Sequence, residues 1–521
     1  MSDGLKLFKF DDDALDSLGR GVDIVAQAVG STLGPRGRTV IIAQPDSSPI
    51  VTKDGVTVAR SIRLRDRFAD LGAQVVKEAA VRACDEAGDG TTTATVLTKA
   101  LFTEGRRALG GGVPLVELKD DITRSIDTLR NELVRMSRSV ADHDELVSVA
   151  TVASNGDVHL GQLIADAIET VGVDGVVTVE ESGGYKTSVS TTEGASIDRG
   201  YLSPHFVTDS DKMLCELKSP LVLLTNKKLS SMRELVPLME RCLQADRALL
   251  IFADDVEGEV LQGLVTNKMR GILRVCAVKA PEFGASRVPA LTDLGLLLGC
   301  ELFVGTDEEL AALQLEDLGS CDVAIVRRDS TTLIRPQGER SGLERRIAAL
   351  NDELSNAEED AAAVLARRLT RLASKVSVIR VGGATEFEVR ERRDRVDDAI
   401  QATRAALREG ILPGGGSALI RAAQSSLGPR PSSAGESVVV RAAAAPLRQM
   451  LQNAGMSDSD VVGRLVSRRD GRCYDIRSLS WKDPFDAGIV DPTIVVRSSL
   501  EHAASAAIIL LSVGASVVND E

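Results

Sequence analysis

The chain has 521 residues, a formal charge of −14 and an aromatic content of only 3%. The acidic surplus and the shortage of rings for base stacking argue against nucleic-acid binding, and the length predicts about two to four domains. No apolar run reads as long enough to span a membrane, and the first residues lack a signal-peptide pattern, so we expect a cytoplasmic protein without a membrane partner.

Hydrophobic spacing predicts mostly helices in the first 136 residues. The apolar residues between positions 12 and 33 lie on one face of a predicted helix, and this helix should end near Gly34-Pro35. Residues 69–136 also read as helical, with interruptions near residue 88 and at residues 110–112. Between these helical stretches, short β-rich runs predict a hairpin, followed by a tight turn that carries Asp54 as an exposed carboxylate.

The middle of the chain has a different pattern. Between Gly194 and Ser374, buried-type strands alternate with helical segments, which predicts an α/β domain. Residues 343–372 predict an antiparallel helix pair, and ordinary core helices fit the same pattern. After a strand at 376–381, further segments read as helical; these are 386–408, the stretch after Gly416, and 503–518. The chain therefore has a helical region at each end and an α/β region between them. This arrangement predicts one discontinuous domain that is built from both ends of the chain.

The stretch Gly88-Asp89-Gly90-Thr91-Thr92-Thr93 carries the clearest chemistry. Its glycines permit a tight turn, and its threonines offer hydroxyls and amides at a helix start, where the helix dipole favours an anion. Asp89 would repel a bare phosphate, and Mg²⁺ between them would remove the conflict. The motif therefore predicts a Mg-nucleotide cradle, although it lacks the Lys-Ser/Thr ending of a P-loop. A threonine N-cap behind a Gly/Asp turn fits the same residues. No zinc site is predicted, since neither cysteines nor histidines show metal-ligand spacing.

Several motifs resemble the group I chaperonins (the GroEL family), and they recur in order across essentially the whole chain. They are Thr32-Leu33-Gly34-Pro35-Arg36-Gly37, Thr52-Lys53-Asp54-Gly55-Val56, Ala87-Gly88-Asp89-Gly90-Thr91-Thr92-Thr93-Ala94-Thr95-Val96-Leu97, Asp198-Arg199-Gly200-Tyr201-Leu202-Ser203-Pro204, Glu257-Gly258-Glu259, Lys279-Ala280-Pro281, Ala402-Thr403-Arg404-Ala405-Ala406 and Pro413-Gly414-Gly415-Gly416. The chain is identified as a divergent member of that family.

The resemblance implies a chaperonin fold, multidomain α and α/β. Its parts would be a mostly helical equatorial domain (1–138 and 409–521), a small α/β intermediate domain (139–192 and 375–408) and an α/β apical domain (193–374). The implied activity is ATP-dependent folding of non-native polypeptides inside seven-membered rings, with ATP, Mg²⁺ and K⁺ as cofactors and a GroES-like cochaperonin as partner. Two alternatives stay open: a ring-forming holdase or scaffold with weak ATPase, and a small-molecule kinase that uses the glycine cradle.

By resemblance, Asp89 holds Mg²⁺, while Asp54 and Asp398 flank the γ-phosphate and position or deprotonate the attacking water. Taken alone, Asp398 would read as a solvated helix carboxylate. The other implied nucleotide contacts are Thr32, Leu33, Gly34, Pro35, Lys53, Gly90, Thr91, Thr92, Thr93, Gly414, Gly415, Tyr474, Asp475, Ile489 and Asp491. At the base pocket the family's usual Asn-Ala-Ala is replaced by Asp475-Ile476-Arg477, which affects the expected base contacts.

The resemblance also implies an exposed apolar groove that binds polypeptide, and without it an amphipathic core would be preferred. The implied groove residues are Tyr201, Ser203, Phe206, Val236, Met239, Leu261 and Val265. His205 and Thr266 make this groove more polar than usual. Gly194 and Gly410 fit as hinge glycines, whereas Ser374-Lys375 stands where the family commonly has Gly-Gly. Domain movements are therefore expected to be smaller or differently timed.

Overall fold

The computed structural model describes residues 6–44, 49–172, 175–182, 184–210, 212–355, 359–373, 375–428, 431–468 and 470–519. The chain divides into two compact units. The first comprises Met1–Glu169, Val179–Val189 and Ile379–Glu521, and the second comprises Thr170–Thr178 and Ser190–Val378. The first unit thus contains both ends of the chain, as the sequence pattern predicted. The finer division into three domains stays a prediction.

The N-terminal stretch is mostly helical, as predicted. It contains β1 (Lys6–Phe10), α1 (Asp11–Gly30), β2 (Val40–Ile42), β3 (Ile50–Thr52), α2 (Gly55–Ser61), α3 (Arg67–Ala87), α4 (Thr91–Gly110), α5 (Leu115–Met136), α6 (His143–Ala153) and α7 (Val158–Val171). The apolar face of α1 is buried, and the glycine stretches separate α3, α4 and α5. The strands β2 and β3 pair antiparallel and confirm the hairpin, whose tip at residues 45–48 lies outside the described residues.

The middle of the chain alternates strands with helices, which confirms the α/β prediction. It contains β4 (Val176–Glu181), β5 (Ser188–Ile197), β6 (Cys215–Lys218), β7 (Leu221–Leu224), β8 (Lys228–Leu229), α8 (Met232–Gln244), β9 (Leu249–Ala253), β10 (Asp255–Val256), α9 (Gly258–Met269), β11 (Val275–Lys279), α10 (Arg287–Leu298), α11 (Asp307–Ala312), β12 (Gly319–Val326), β13 (Thr331–Pro336), α12 (Arg340–Ser355), α13 (Glu359–Ala373) and β14 (Lys375–Val381). The residues between α12 and α13 lie outside the described part, as does Ser374.

The C-terminal stretch returns to the first unit. It contains α14 (Glu386–Glu409), β15 (Ile411–Pro413), α15 (Ser417–Ser426), α16 (Ala434–Ala442), α17 (Ala445–Asn453), α18 (Asp458–Ser467), β16 (Cys473–Asp475), β17 (Ser480–Lys482), β18 (Val490–Pro492), α19 (Thr493–Leu511) and β19 (Ala515–Asn519). Gly410 ends α14 with a φ of 84°, a backbone conformation that glycine adopts at little cost. Gly194 lies within β5.

The helix predicted at 503–518 was wrong at its C-terminal end. The helix α19 stops at Leu511, and β19 follows it and pairs antiparallel with β1. Alternate residues of β19, Ser516 and Val518, are buried. The pairing joins the two ends of the chain, so local periodicity could not reveal the partner strand.

The helix α19 also corrects the expectation that no segment is long and apolar enough to cross a membrane. Its length and composition satisfy that criterion, with 61% of the relevant window buried inside the protein. It packs against α3, α4 and α5 and supplies part of the hydrophobic core of the first unit. This packing is typical of a core helix.

The core of the second unit surrounds a mixed sheet. The strand order is β11-β9-β7-β12-β13-β5-β14-β4, and β6 also pairs with β12. The parallel strands β7, β9 and β11 are almost continuously apolar and buried, because helices cover both faces of a parallel sheet. Their contiguous apolar side chains lie at the centre of this core, together with residues of the surrounding helices.

A buried ion cluster joins three helices of the second unit. Asp293 on α10 is only 1% exposed, and Arg346 on α12 and Arg368 on α13 both donate hydrogen bonds to its carboxylate. Removing the carboxylate would leave Arg368 charged and buried without its partner.

We expect Asp293→Ala to destabilise the second unit by about 3–5 kcal/mol. Urea unfolding monitored by circular dichroism measures the loss. Glu344→Ala is a matched control, because Glu344 is paired with Arg340 at an exposed i,i+4 position on α12 and should contribute below about 0.5 kcal/mol. Equal effects of the two substitutions would contradict the assignment.

Candidate functional site

The glycine cradle has the tight backbone that the sequence predicted. Gly88 ends α3 with a φ of 76°, and Gly90 precedes α4 with a φ of 98°. A Cβ on Gly90 would lie 2.4 Å from Ser499 Oγ, and one on Gly88 would lie 2.3 Å from the Cβ of Gln401. Both the backbone angles and the packing therefore require glycine at these positions.

The start of α4 distinguishes the two interpretations of the threonine run. Gly90 occupies the N-cap, so the N-cap residue provides no side chain, and Thr91 is already the first residue of the helix. Thr91 is buried, whereas Thr92 and Thr93 line a cavity. The first amides of a helix lack intrahelical partners, so this end remains able to bind an anion. The threonine N-cap interpretation is not what the structure adopts.

Asp54 is positioned differently from the prediction. It is the half-buried N-cap of α2, not an exposed turn carboxylate, and it accepts hydrogen bonds from the amides of Val56 (3.0 Å) and Thr57 (2.8 Å). A Cβ on the next residue, Gly55, would lie 2.4 Å from Thr92 Oγ1. The first turn of α2 therefore lies directly against the first turn of α4.

Asp398 on α14 lines the same cavity as Asp54 and Asp89. Its pKa is raised well above the usual range, first because protein surrounds it and then because Asp54 and Asp89 repel its charge. The pKa of Asp89 is raised too, mainly by the surrounding protein and also by Asp54. Water reaches both carboxylates from the cavity side, because Asp89 is exposed and Asp398 is half-buried. Asp398 is therefore not the solvated helix carboxylate that its local sequence indicates.

A fourth carboxylate, Asp491, lies on β18, which pairs with β15. The surrounding protein and the charge of Asp89 raise the pKa of Asp491 to about 6. No group of three or more His, Cys, Asp and Glu side chains is arranged to hold a metal ion by itself in the described part of the chain. A cation here would need ligand atoms from a bound molecule or water.

The cavity has a volume of about 560 Å³ and lies entirely within the first unit. It collects most of the predicted nucleotide contacts: Thr32, Leu33, Gly34, Pro35, Lys53, Asp54, Asp89, Gly90, Thr92, Thr93, Asp398, Gly415, Tyr474, Asp475, Ile489 and Asp491. Thr91 and Gly414 are not among the lining residues. Gly414 instead donates a backbone hydrogen bond to Ile489.

Sequence reasoning missed the part of the cavity wall between α6 and α7. Val152, Asn155 and Gly156 line the cavity there, and Arg395 on α14 also contributes. The Asn-Gly dipeptide is a turn signal that could have indicated the corner. Its position at the cavity depends on tertiary packing, which the signal does not contain.

The altered base-pocket residues are held by their own contacts. Asp475 accepts hydrogen bonds from Lys482 Nζ (2.8 Å), Ser478 Oγ (2.6 Å) and the amide of Arg477 (2.9 Å). These donors outweigh the effect of burial and lower the pKa of Asp475 to about 2, so it is ionised at neutral pH. Ile476 is buried, and Tyr474 and Trp481 make an edge-to-face contact.

A match to a known protein family covers almost the whole chain. Residues 25–521 match the TCP-1/cpn60 chaperonin family. The chain belongs to this chaperonin family. The resemblance inferred from the motifs is confirmed, as is the multidomain α and α/β chaperonin fold, and a chaperonin role follows at this coarse level.

Solved structures show the same fold. One similar structure is the chaperonin gp146 from the bacteriophage EL 2 (Pseudomonas aeruginosa), in the presence of ATP-BeFx, crystal form II. It is 23% identical, with a TM-score of 0.66 over 99% of this chain and 100% of that chain. Crystal form I of the same protein gives 23% identity and a TM-score of 0.63 over 99% of each chain. At this identity the likeness concerns the fold alone.

The implied apolar groove of this chaperonin is largely closed in the structure. Phe206 is fully buried, Met239 is 7% exposed and Tyr201 is 9% exposed, and all three belong to the core of the second unit. Ser203 is buried too, whereas Leu261 and Val265 are half-buried. Val236, at 39%, is the most exposed of the seven. The exposed groove that the resemblance implied is therefore corrected for Tyr201, Phe206 and Met239, which the structure places in the core, as the alternative of an amphipathic core predicts.

The raised pKa of Asp491 predicts a pH-dependent stability of the nucleotide-free chaperonin. Its neutral form stabilises the fold at low pH, and this stabilisation is lost as the pH rises through about 6. We expect Asp491→Asn to match wild type at about pH 4 or below, and to become more stable than wild type as the pH rises from about 4 to about 6. At about pH 7.5 it should melt a few degrees higher, with a gain in free energy of unfolding of at most roughly 3 kcal/mol.

Differential scanning fluorimetry of both proteins across this pH range measures the effect. The exposed Asp486→Asn variant is the control and should follow wild type at every pH. A difference between Asp491→Asn and wild type that does not change with pH would contradict the prediction.

Proposed function

We propose that this protein is an ATP-dependent chaperonin that hydrolyses ATP and uses the reaction to bind and release non-native polypeptides within a ring. The observation that carries the proposal is the grouping of Asp54, Asp89 and Asp398 in one cavity beside the open N-terminus of α4. Carboxylates that repel one another at close range are unfavourable without a cation. A magnesium-bound triphosphate would neutralise them.

The residues fit such a ligand. Mg²⁺ is usually held by one or two carboxylates together with phosphate oxygens and water, which agrees with the lack of a complete protein ligand set among the described residues. Asp89 is the carboxylate that would hold it, between the glycines of the cradle. Lys53 lines the same cavity and supplies a positive charge for the phosphates. When bound, the ion would withdraw charge from the phosphate oxygens.

The protein residues would then supply the remaining chemistry of hydrolysis. The first amides of α4 would hold phosphate oxygens, and Asp54, fixed by its cap hydrogen bonds, would orient a water molecule. The water oxygen would attack the γ-phosphorus while the bond to the β–γ bridging oxygen breaks, which yields ADP and phosphate. Asp398 would accept the proton of the water, a role suited to a carboxyl whose pKa is raised.

Asp398 connects this chemistry with conformational change. It lies on α14, which packs against α6 and α19, whereas Asp54 and Asp89 lie near the N-termini of α2 and α4. We infer that α14 and α6 move together as the intermediate domain and bring Asp398 to the phosphates. The altered Ser374-Lys375 hinge is expected to change the timing of that movement.

Family resemblance supports the further parts of the proposal. These are seven-membered rings, a GroES-like cochaperonin, K⁺ as a second cation and a cytoplasmic location. The partly exposed residues Val236, Leu261 and Val265 would form the initial contact for unfolded chains. Movement of α8 and α9 would have to uncover Met239 and Phe206 for the whole groove to act.

A ring-forming holdase with weak ATPase is the second candidate. The charged Asp475 and Arg477 at the cavity wall favour it, because they stand where the family has small or neutral residues. Refolding of a denatured client by the full-length protein distinguishes the two. We expect ATP to increase the yield of active client well above that obtained with a non-hydrolysable analogue. Equal yields would favour the holdase.

Negative-stain images of the purified protein with and without ATP test the assembly directly. Rings whose shape changes with ATP would support the proposal. A purified protein that remains a single subunit, does not bind adenine nucleotide and does not retain a denatured client would refute it.

A further inference from the structure

Arg477 makes a contact across the cavity wall. It follows β16 in the turn to β17, and its Nη2 donates a hydrogen bond to the backbone carbonyl of Asn155, 3.0 Å away. Asn155 lies in the turn between α6 and α7, so the bond joins segments 322 residues apart in the chain. Both residues line the cavity of the proposed nucleotide site.

The turn between α6 and α7 is shaped to accept the guanidinium. Asn155 and Gly156 have φ values of 59° and 85°, which is a sharp left-handed corner. A Cβ on Gly156 would lie 1.8 Å from Arg477 Nη2 and 2.2 Å from Nη1. The guanidinium therefore packs directly on the Gly156 backbone, and any side chain at that position would displace it.

The other end of this contact is also held firmly. The Arg477 amide donates to Asp475 Oδ1, and Lys482 and Ser478 hold Oδ2 of the same carboxylate. The strands β16 and β17 pair around this turn. Arg477 thus extends from a rigid hairpin to a corner next to α6, the helix that packs on α14.

We propose that Arg477 is a positioning residue that holds the Asn155–Gly156 corner at the cavity and thereby slows the release of bound nucleoside diphosphate or triphosphate. The inference rests on the proposed nucleotide site. Arginine suits this role because its planar group can donate to a carbonyl while it lies flat on a backbone. The ammonium group of lysine cannot cover the corner in the same way.

The test is stopped-flow release of mant-ADP from the full-length protein, together with equilibrium binding of the same probe. We expect Arg477→Ala to release mant-ADP about tenfold faster and to bind it about tenfold more weakly, which corresponds to about 1.4 kcal/mol. Arg477→Lys should recover only part of the affinity. The melting temperature of the nucleotide-free protein should change little, because the contact is near the surface.

Gly156→Ala disrupts the same contact by displacing the guanidinium of Arg477. Its mant-ADP release rate can test the inference if Arg477→Ala folds poorly. The double variant should release mant-ADP no faster than the faster single variant, since both changes remove one interaction. Arg472→Ala is the control, because Arg472 precedes the same hairpin, contacts Asp470 and does not line the cavity. Wild-type release rates in both single variants would overturn this inference and leave the proposed nucleotide site intact. A wild-type protein that binds no mant-ADP would overturn the proposed nucleotide site itself.

Discussion

Asp398→Asn is expected to abolish ATP hydrolysis and to stabilise the nucleotide-free protein at the same time. Loss of the proton acceptor should lower kcat by on the order of 10²-fold or more. The same change removes one of the mutually repelling carboxylates in the cavity, where the pKa of Asp398 is raised well above its usual range. We expect a gain of roughly 1–2 kcal/mol near neutral pH, which is the opposite sign to most substitutions in a protein interior.

Steady-state phosphate release and differential scanning fluorimetry measure the two effects. The stability gain should disappear at low pH, because the wild-type carboxyl is then neutral as well. Glu386→Gln is the matched control, since Glu386 is an exposed carboxylate on α14 that does not line the cavity. An Asp398→Asn variant with wild-type ATPase would remove Asp398 from the proposed chemistry. Lower stability at neutral pH would contradict the electrostatic argument.

Gly90→Ala is expected to have the second large effect, a loss of nucleotide binding of on the order of 10²-fold together with about 2–4 kcal/mol of stability. The added Cβ would lie 2.4 Å from Ser499 Oγ and 3.2 Å from Val495 Cγ1, so either α19 or the start of α4 must shift. A shift of α4 moves the amides that would hold phosphate. Isothermal titration with ATP and Mg²⁺, and urea unfolding, measure the two losses.

Gly112→Ala separates backbone strain from this collision. Gly112 has a φ of 91°, close to the 98° of Gly90, but a Cβ there would have open space. It should cost about 1 kcal/mol and leave nucleotide affinity unchanged. The double variant Gly90→Ala, Ser499→Ala should recover part of the lost affinity, because Ser499 Oγ is the atom nearest to the added Cβ. Equal affinity losses for Gly90→Ala and Gly112→Ala would show that packing is not the cause.

Local chemistry made several parts of this site predictable. Gly88 and Gly90 flank Asp89 and permit the left-handed backbone angles of the turn, and the apolar run after Thr93 favours a helix. The cradle at the start of α4 therefore follows from residues that are close together in the sequence. The same holds for the end of α1 before Gly34 and for the buried strands β7 and β9, whose side chains are apolar throughout. Motif order further identified the chaperonin family.

The sequence by itself therefore determined the family, the fold class, most helices and strands, and the residues of the cradle, because each depends on neighbours within a few positions or on an ordered set of motifs. Only the tertiary structure decided that Asp398 lies near Asp89, that Phe206 belongs to the core, that β19 pairs with β1, and that Arg477 contacts Asn155. These features depend on groups far apart in the chain. The burial of these groups and the interactions between their charges arise only when tertiary packing brings them together.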